Sequence, residues 1–445
     1  MSQTEVYIPA FQDPPGTNVA GLPTANLRLA SPHVSYGLPY QEACAKHVRD
    51  TYKASRVYII ASGTLSRESD RVQKLVAAIG KDNVVRIKEG MTPHTPYSEI
   101  LQITVEAKEA NADCLVTLGA GSITDGAKMV AFVSDQGVSM TPQNAYASFQ
   151  CLANDIKIRE QLVRYSAGSK DMPSTVHEPN VSLITIPTSL SGGEYFSLSG
   201  GTDDETKQKV PYLHSGMGVN LVILDPELCT TTPPYHWLST GVRSLDHCVE
   251  ALCSLQGTEK SDAKAEEGLK LLVPNLLKCK QDPKDLEARH KCQMAVINAM
   301  DNIRAGIPMG GSHAIGHQLG PLGVAHGVTS CILCPAVMKY NIKHAHGNPQ
   351  IIKRQQRVRG ILWSEPEVAK LLRDKGLQED TADLGDLLDV VIRALGLPRT
   401  VTELGIKSDV FPALAKRSLA DFWSPTNPVP LVRAEQVQEI LGSVV

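Results

Sequence analysis

The sequence predicts an α/β protein: an N-terminal doubly wound parallel sheet followed by an all-α C-terminal half. Three observations carry this. Short apolar, β-branched runs alternate with amphipathic stretches through roughly the first half of the chain. After about Asp225 the strand signals fade and long amphipathic stretches take over. Between the two signals a glycine turn, Gly119-Ala-Gly-Ser122, stands where a strand gives way to a helix.

The strand runs are Arg56–Ser62 (RVYIIAS), Asn83–Glu89 (NVVRIKE), Asp113–Gly119 (DCLVTLG), Val181–Ser189 (VSLITIPTS) and Leu221–Asp225 (LVILD). Mostly apolar strands of this kind are expected to be buried on both faces, as in a parallel sheet. Helical patterns lie between the earlier runs, at 40–55, 67–82, 98–112 and 123–136. The polar, proline-containing stretch 141–180 reads as an insertion with a helix near 156–164. The second half predicts helices over 241–255, 262–278, 285–303, 365–375, 380–395 and 411–418. A boundary follows, with a nucleotide-binding domain over 1–228 and a helical domain over 229–445.

Bulk properties exclude several classes. At 445 residues, 42% hydrophobic and 20% charged, the chain has the composition of a globular protein with a large core. A net charge of −3 gives no electrostatic case for nucleic acid or an acidic membrane. The one basic run, Lys353 to Arg359, reads as a solvated helix face. Ten cysteines show no repeated spacing, and Cys331–Cys334 lacks a second pair, so buried free thiols are expected. No secretory leader, apolar span or lipidation signal is legible, and a cytoplasmic location is expected.

Two loops and one histidine group suggest chemistry. Glycines at 119 and 121 let a backbone approach a pyrophosphate, and the helix opened by Ser122, carrying Asp125 and Lys128, points its positive dipole end there. A second loop, Pro187-Thr-Ser-Leu-Ser-Gly-Gly-Glu194, follows the next parallel strand, where ligands of such sheets bind. Downstream, His247 falls on one helix, His313 and His317 four apart on another, and His326 in the following loop. That spacing suits a metal or a proton-transfer site. The natural further ligand would lie four residues before His247, on the same helix face. That residue is Arg243, a permanent cation with no lone pair to offer.

Together GAGSITDGAK, IPTSLSGGE, LDPEL, GVRSLDHCVEAL and GGSHAIGHQLG with the downstream AHG resemble the iron-containing alcohol dehydrogenase superfamily of dehydroquinate synthase-like fold. The resemblance spans roughly residues 35 to 345. It implies an NAD(P)-binding α/β domain and a helical domain. Gly119, Gly121 and Ser122 match the family's pyrophosphate loop, and Thr188 and Ser189 the pair approaching the nicotinamide. His247, His313 and His326 match three metal ligands, and His317 the histidine implicated in proton relay. The metal-binding aspartate falls on Arg243, while Asp246 is a poor substitute about 100° around the helix. The short PTSLSGGE loop looks like the maleylacetate reductase branch, whereas His326-Gly327 looks like the alcohol dehydrogenase branch. Ser62 stands where the family often has a ribose-binding aspartate, so NADPH is expected to be tolerated at least as well as NADH.

The resulting expectation is a metal-independent NAD(P)H reductase acting on a carbonyl or activated alkene of a small, acidic or oxygen-rich substrate. Arg243 and His247, His313, His317 and His326 would polarise the oxygen and supply the proton. Two alternatives stand beside it: an Fe2+- or Zn2+-dependent alcohol dehydrogenase using His247, His313 and His326, and a non-redox lyase or cyclase on the same scaffold. A homodimer is expected, with neither nucleic acid nor membrane as partner. Several residues receive a plain structural reading: Arg243 as a counter-ion of Asp246 or Glu250, those two as ordinary helix carboxylates, Glu194 as a partner of its loop, Asp301 and Arg304 as helix-surface residues, and Ser312 as a helix N-cap.

Overall fold

The structure, a computed structural model, describes residues 4–12, 18–19, 22–23, 31–93, 95–119, 121–134, 180–202, 204, 209–213 and 217–445. The predicted insertion over 141–180 and its helix near 156–164 lie outside the described residues, apart from Asn180. The chain divides into two compact units, the main change falling between Thr231 and Thr232, with 16–22 grouped with the second. No helix among the described residues is long and apolar enough to cross a membrane.

The first unit is built on strands β1 (Val6–Pro9), β2 (His33–Tyr36), β3 (Val57–Ala61), β4 (Val84–Glu89), β5 (Cys114–Gly119), β6 (Ser182–Pro187) and β9 (Leu221–Leu224), with a hairpin of β7 (Leu198–Thr202) and β8 (Lys209–Leu213) beside them. Seven form one sheet in the order β1-β2-β9-β6-β5-β3-β4. All neighbours run parallel except β1, which pairs antiparallel with β2. Helices α1 (Tyr40–Lys46), α2 (Gly63–Glu68), α3 (Arg71–Ile79), α4 (Tyr97–Glu109) and α5 (Ser122–Ser134) connect these strands. Ile59, Val116, Ile184 and Ile223, one from each central strand, meet in one fully buried cluster. Strands β3, β5 and β9 are buried at every position, which is the two-sided burial that the apolar runs predicted.

Two expectations fail at the sheet edges. Strand β4 is half exposed, because it is the last strand and covers only one face. Its charges have room to pair outward, Arg86 with Glu106 at 3.3 Å and Lys88 with Glu99 at 3.1 Å. At the other edge β1 and β2 are four residues each, and β1 is largely exposed, so neither makes an apolar run long enough to read.

The second unit is helical: α6 (Pro234–Cys253), α7 (Glu259–Gln281), α8 (Leu286–Arg304), α9 (Gly311–Leu319), α10 (His326–Lys343), α11 (Pro349–Ser364), α12 (Pro366–Asp374), α13 (Leu384–Ala394), α14 (Phe411–Ser418) and α15 (Ala434–Gly442). Thr258 and Ser261 form a capping box at the start of α7, and Asp383 and Asp386 another at α13. The basic run lies on α11 and is more than a solvated face. Arg354 and Arg357 grip the two oxygens of Asp262 at 2.5 and 2.9 Å, tying α11 to α7. Arg304 is 2% exposed and is therefore not a surface residue. All nine described cysteines are buried and none of them forms a disulfide, Cys331 and Cys334 included.

Candidate active site

Within the first unit, the predicted cofactor residues gather at the carboxyl ends of β3, β5 and β6. The chain leaves β3 toward the edge strand β4, then returns to place β5 on the other side of β3. Ligands of doubly wound sheets bind where the strand order reverses in this way. Ser62 and Gly119 end the two strands there: the Ser62 amide donates to the Leu118 carbonyl at 2.8 Å, and a Cβ on Gly119 would come within 3.2 Å of the Ser62 Cβ. Gly119 and Gly121 have φ of +148° and +59°, which favour glycine. A Cβ on Gly121 would meet nothing within 4 Å among the described residues, so the turn is open at that point. Thr188 closes the far side, its amide donating to Gly119 at 3.3 Å, and the Ser189 and Ser191 hydroxyls pair at 3.0 Å. Asp125 follows Ser122 in the first turn of α5. Glu194 is buried and accepts from the Thr124 hydroxyl of α5 at 2.9 Å, so it ties its loop to that helix.

Within the second unit, helices α6, α9 and α10 bring the four histidines together. His247 stacks on His313 with centroids 4.7 Å apart. His313 lies 6.5 Å from His317, and His317 lies 6.4 Å from His326. Glycines make this approach possible. A Cβ on Gly327 of α10 would sit 2.5 Å from the Ser239 carbonyl of α6, and one on Gly316 would sit 2.9 Å from the Thr329 hydroxyl. Arg243 enters the same cluster, 9% exposed, with Nη1 donating to the Ser330 hydroxyl at 3.2 Å.

Beneath the histidines lies a knot that the sequence reading took for ordinary helix carboxylates. Glu250 accepts from the amides of Gly310 and Ser312, both at 2.9 Å, and pairs with His313 Nδ1 at 2.7 Å. The Asn427 side chain accepts from the Gly311 amide at 3.0 Å. Side chains from elsewhere thus satisfy the open amides that begin α9, with Gly310 at the cap position, so Ser312 is not the cap. Its hydroxyl donates instead to Asp246 at 2.7 Å. Ligand atoms of Asp246, Glu250 and His313 lie within 4.8 Å of one another, which makes them a candidate cation group as well.

Burial decides the charge states. It pushes both His247 and His313 well below the ordinary histidine range, and Arg243 beside them adds to the effect. Both rings are therefore neutral. His247 Nδ1 and His313 Nε2 are buried with no hydrogen-bond partner. Burial also pushes up the carboxyls of Asp246 and Glu250, and for Glu250 the neighbouring Asp246 contributes. Arg243 feels a burial penalty opposed by the charges of Asp246, Glu250 and Asp421.

Three further residues complete the group and were missed in the sequence. Asp421 Oδ2 holds His317 Nδ1 at 2.8 Å, the Trp423 ring stacks on His317 with centroids 5.4 Å apart, and Asn427 binds the start of α9. They sit in the turn after α14, Asp421 being 104 residues beyond His317, where no local spacing links them.

Family models of iron-containing alcohol dehydrogenase match residues 39–226, and its C-terminal part 237–445. The chain belongs to the iron-containing alcohol dehydrogenase family. It is accordingly an oxidoreductase. Among its relatives, Dehydrogenase FUM7 of Gibberella moniliformis is 34% identical over 94% of this chain and 97% of its own length. Dehydrogenase ALT3 of Alternaria alternata is 34% identical over 87% and 98%. The fold is shared with a maleylacetate reductase from Agrobacterium tumefaciens (TM-score 0.68, 19% identity, 92% of this chain and 95% of that one). It is also shared with a 1,3-propanediol oxidoreductase (TM-score 0.71, 20% identity, 94% and 98%).

Proposed function

We propose that this dehydrogenase is an NAD(P)H-dependent reductase that needs no metal and acts on a carbonyl or activated alkene of a small, acidic or oxygen-rich substrate. The observation that carries the reading is Arg243, a buried guanidinium among the histidines, in the position from which a carboxylate ligand would reach a metal also held by His247. A divalent ion fits this donor set poorly. Two like charges at ~4 Å repel by about 4 kcal/mol at an effective dielectric near 20, and a divalent ion doubles that. In the alternative group of Asp246, Glu250 and His313, both Glu250 oxygens accept amide hydrogens and one Asp246 oxygen accepts from Ser312, which leaves only Asp246 Oδ1 and His313 Nε2 unpartnered, too few donors to hold an ion without breaking the start of α9.

Bound NAD(P)H would supply the hydride. The turn of Gly119, Gly121 and Ser122 would cradle its pyrophosphate, with Asp125, Thr188 and Ser189 bordering the same loops. Ser62, uncharged, leaves a 2′-phosphate unopposed, which admits NADPH as well as NADH. Arg243 would stabilise negative charge developing on the substrate oxygen, and its forked donors also suit a substrate carboxylate. The neutral His247 and His313 keep Arg243 as the fixed cation of the cluster. His317, partly exposed, would move the proton to that oxygen.

The test is turnover after chelation, read at the nicotinamide absorbance band with a panel of keto acids. Unchanged turnover and a metal content far below one ion per chain are expected. Stoichiometric Fe2+ or Zn2+ whose removal abolishes turnover would overturn the metal-free reading. The cofactor site has its own test. Gly121→Val fills the open space and strains a backbone at φ +59°, so NADPH affinity should fall at least about tenfold in a variant that still folds. Wild-type affinity in folded Gly121→Val would remove the glycine turn from the site.

A further inference from the structure

We infer that Asp421 is a positioning residue for His317, holding its ring in the tautomer and orientation that proton transfer requires. The inference rests on the proposed role of His317 as the group that moves the proton. Asp421 Oδ2 lies 2.8 Å from His317 Nδ1. A carboxylate has no hydrogen to give, so Nδ1 carries the hydrogen and Nε2 keeps its lone pair. His317 Nε2 is then the atom that can take up and return a proton, while the carboxylate stabilises the imidazolium that forms in between.

Asp421 is itself fixed. Its side chain is 8% exposed, against 29% for His317. Oδ1 accepts from the Trp423 amide at 3.0 Å, and the backbone is tied to Ser418 at 3.0 Å and Ser424 at 3.1 Å. The same turn lays the Trp423 ring against His317, interplanar angle 28°. One residue pair thus restrains the imidazole twice, by a charged hydrogen bond at its edge and by stacking on its face. The other groups around the ring are His313 of the same helix, His326 of α10, and Arg243 and His247 of α6. Of these Arg243 is cationic, and the charges of Asp246 and Glu250, with a smaller part from Asp421, oppose its burial penalty.

Asp421→Asn separates positioning from turn-building. Asparagine keeps the size and can still accept from the Trp423 amide through its oxygen. That leaves the amide nitrogen facing His317 Nδ1 as a donor, which forces the ring hydrogen onto Nε2. We expect kcat to fall roughly 10²- to 10³-fold. The KM for NADPH should change less than about twofold, and nitrogen NMR of the histidine ring should show the switched tautomer. Asp421→Glu should restore part of the rate. If Asp421→Asn unfolds, Asp421→Ser keeps a short acceptor for the turn without the charge; the kcat and KM readings then decide, wild-type kcat in Asp421→Ser overturning the inference. A slow His317→Ala beside an Asp421→Asn of wild-type kcat, or of reduced kcat with the tautomer unchanged, overturns the inference and leaves the role of His317 standing. Wild-type turnover in His317→Ala overturns the role itself, and the inference with it.

Discussion

Arg243→Ala should lower kcat/KM by roughly 10²- to 10³-fold while leaving NADPH affinity near wild type. That is the usual loss when a preorganised donor aimed at a developing oxyanion is removed from a site shielded from water. Arg243→Lys should fall between, because an ammonium restores the charge without the planar fork that binds a carboxylate through two parallel hydrogen bonds. Arg243→Asp tests the other half of the argument. It places a carboxylate four residues before His247, on the same face of α6, and removes the cation that opposes a metal. Titration with Fe2+ or Zn2+ should then detect tighter binding than in the wild type measured beside it. The competing account is that Arg243 only balances Asp246 and Glu250, whose charges act on it. On that account Arg243→Ala loses thermal stability and keeps its turnover. Full turnover in a folded Arg243→Ala would therefore end the catalytic assignment.

How much of this was legible depended on whether the signal was local. Strands β3, β5, β6 and β9 were readable because a strand covered on both faces must be apolar along its length; β4 was read as a strand as well, but its half-exposed edge position was not, and the exposed edge β1 carried no apolar run to read. The histidines were readable because helical spacing alone puts His313 and His317 on one face. Asp421 and Trp423 were not, since only the tertiary fold brings the turn after α14 to α9. Asp246 and Glu250 were in view and undervalued. From Trp237 to Cys253, α6 is buried at nearly every position, with Arg243, Asp246, His247 and Glu250 among apolar residues. Charges on a helix with no solvated face must find partners inside. The Gly310-Gly311 pair was the matching clue: a helix beginning with two glycines has no side chain there to cap its own amides, so the cap must come from another element.

Glu250 is for that reason the residue whose loss should most disturb the helical unit. Glu250→Ala leaves the Gly310 and Ser312 amides and His313 Nδ1 without their acceptor in a dry site. A destabilisation of about 3–5 kcal/mol is expected, since each of three buried donors left unsatisfied costs about 1–3 kcal/mol before the site relaxes. Glu250→Gln should lose less, about 1–3 kcal/mol, because one oxygen can still accept while the amide nitrogen opposes a donor. The pH dependence has a definite sign. Burial pushes Asp246 and Glu250 up, Glu250 to about 8, so the pair holds a proton in the folded state that the unfolded chain, with an ordinary glutamate near 4.3, has released. Its contribution is full below the unfolded value and is lost as pH rises through the folded one. Between pH 5 and 8 the wild-type melting temperature should therefore carry a downward slope from this pair, and Glu250→Gln should flatten it. Calorimetric melting of both proteins across that window decides the matter. Parallel curves would mean that no proton is held there, and that the Glu250 carboxylate is ionised by the three hydrogen bonds it accepts.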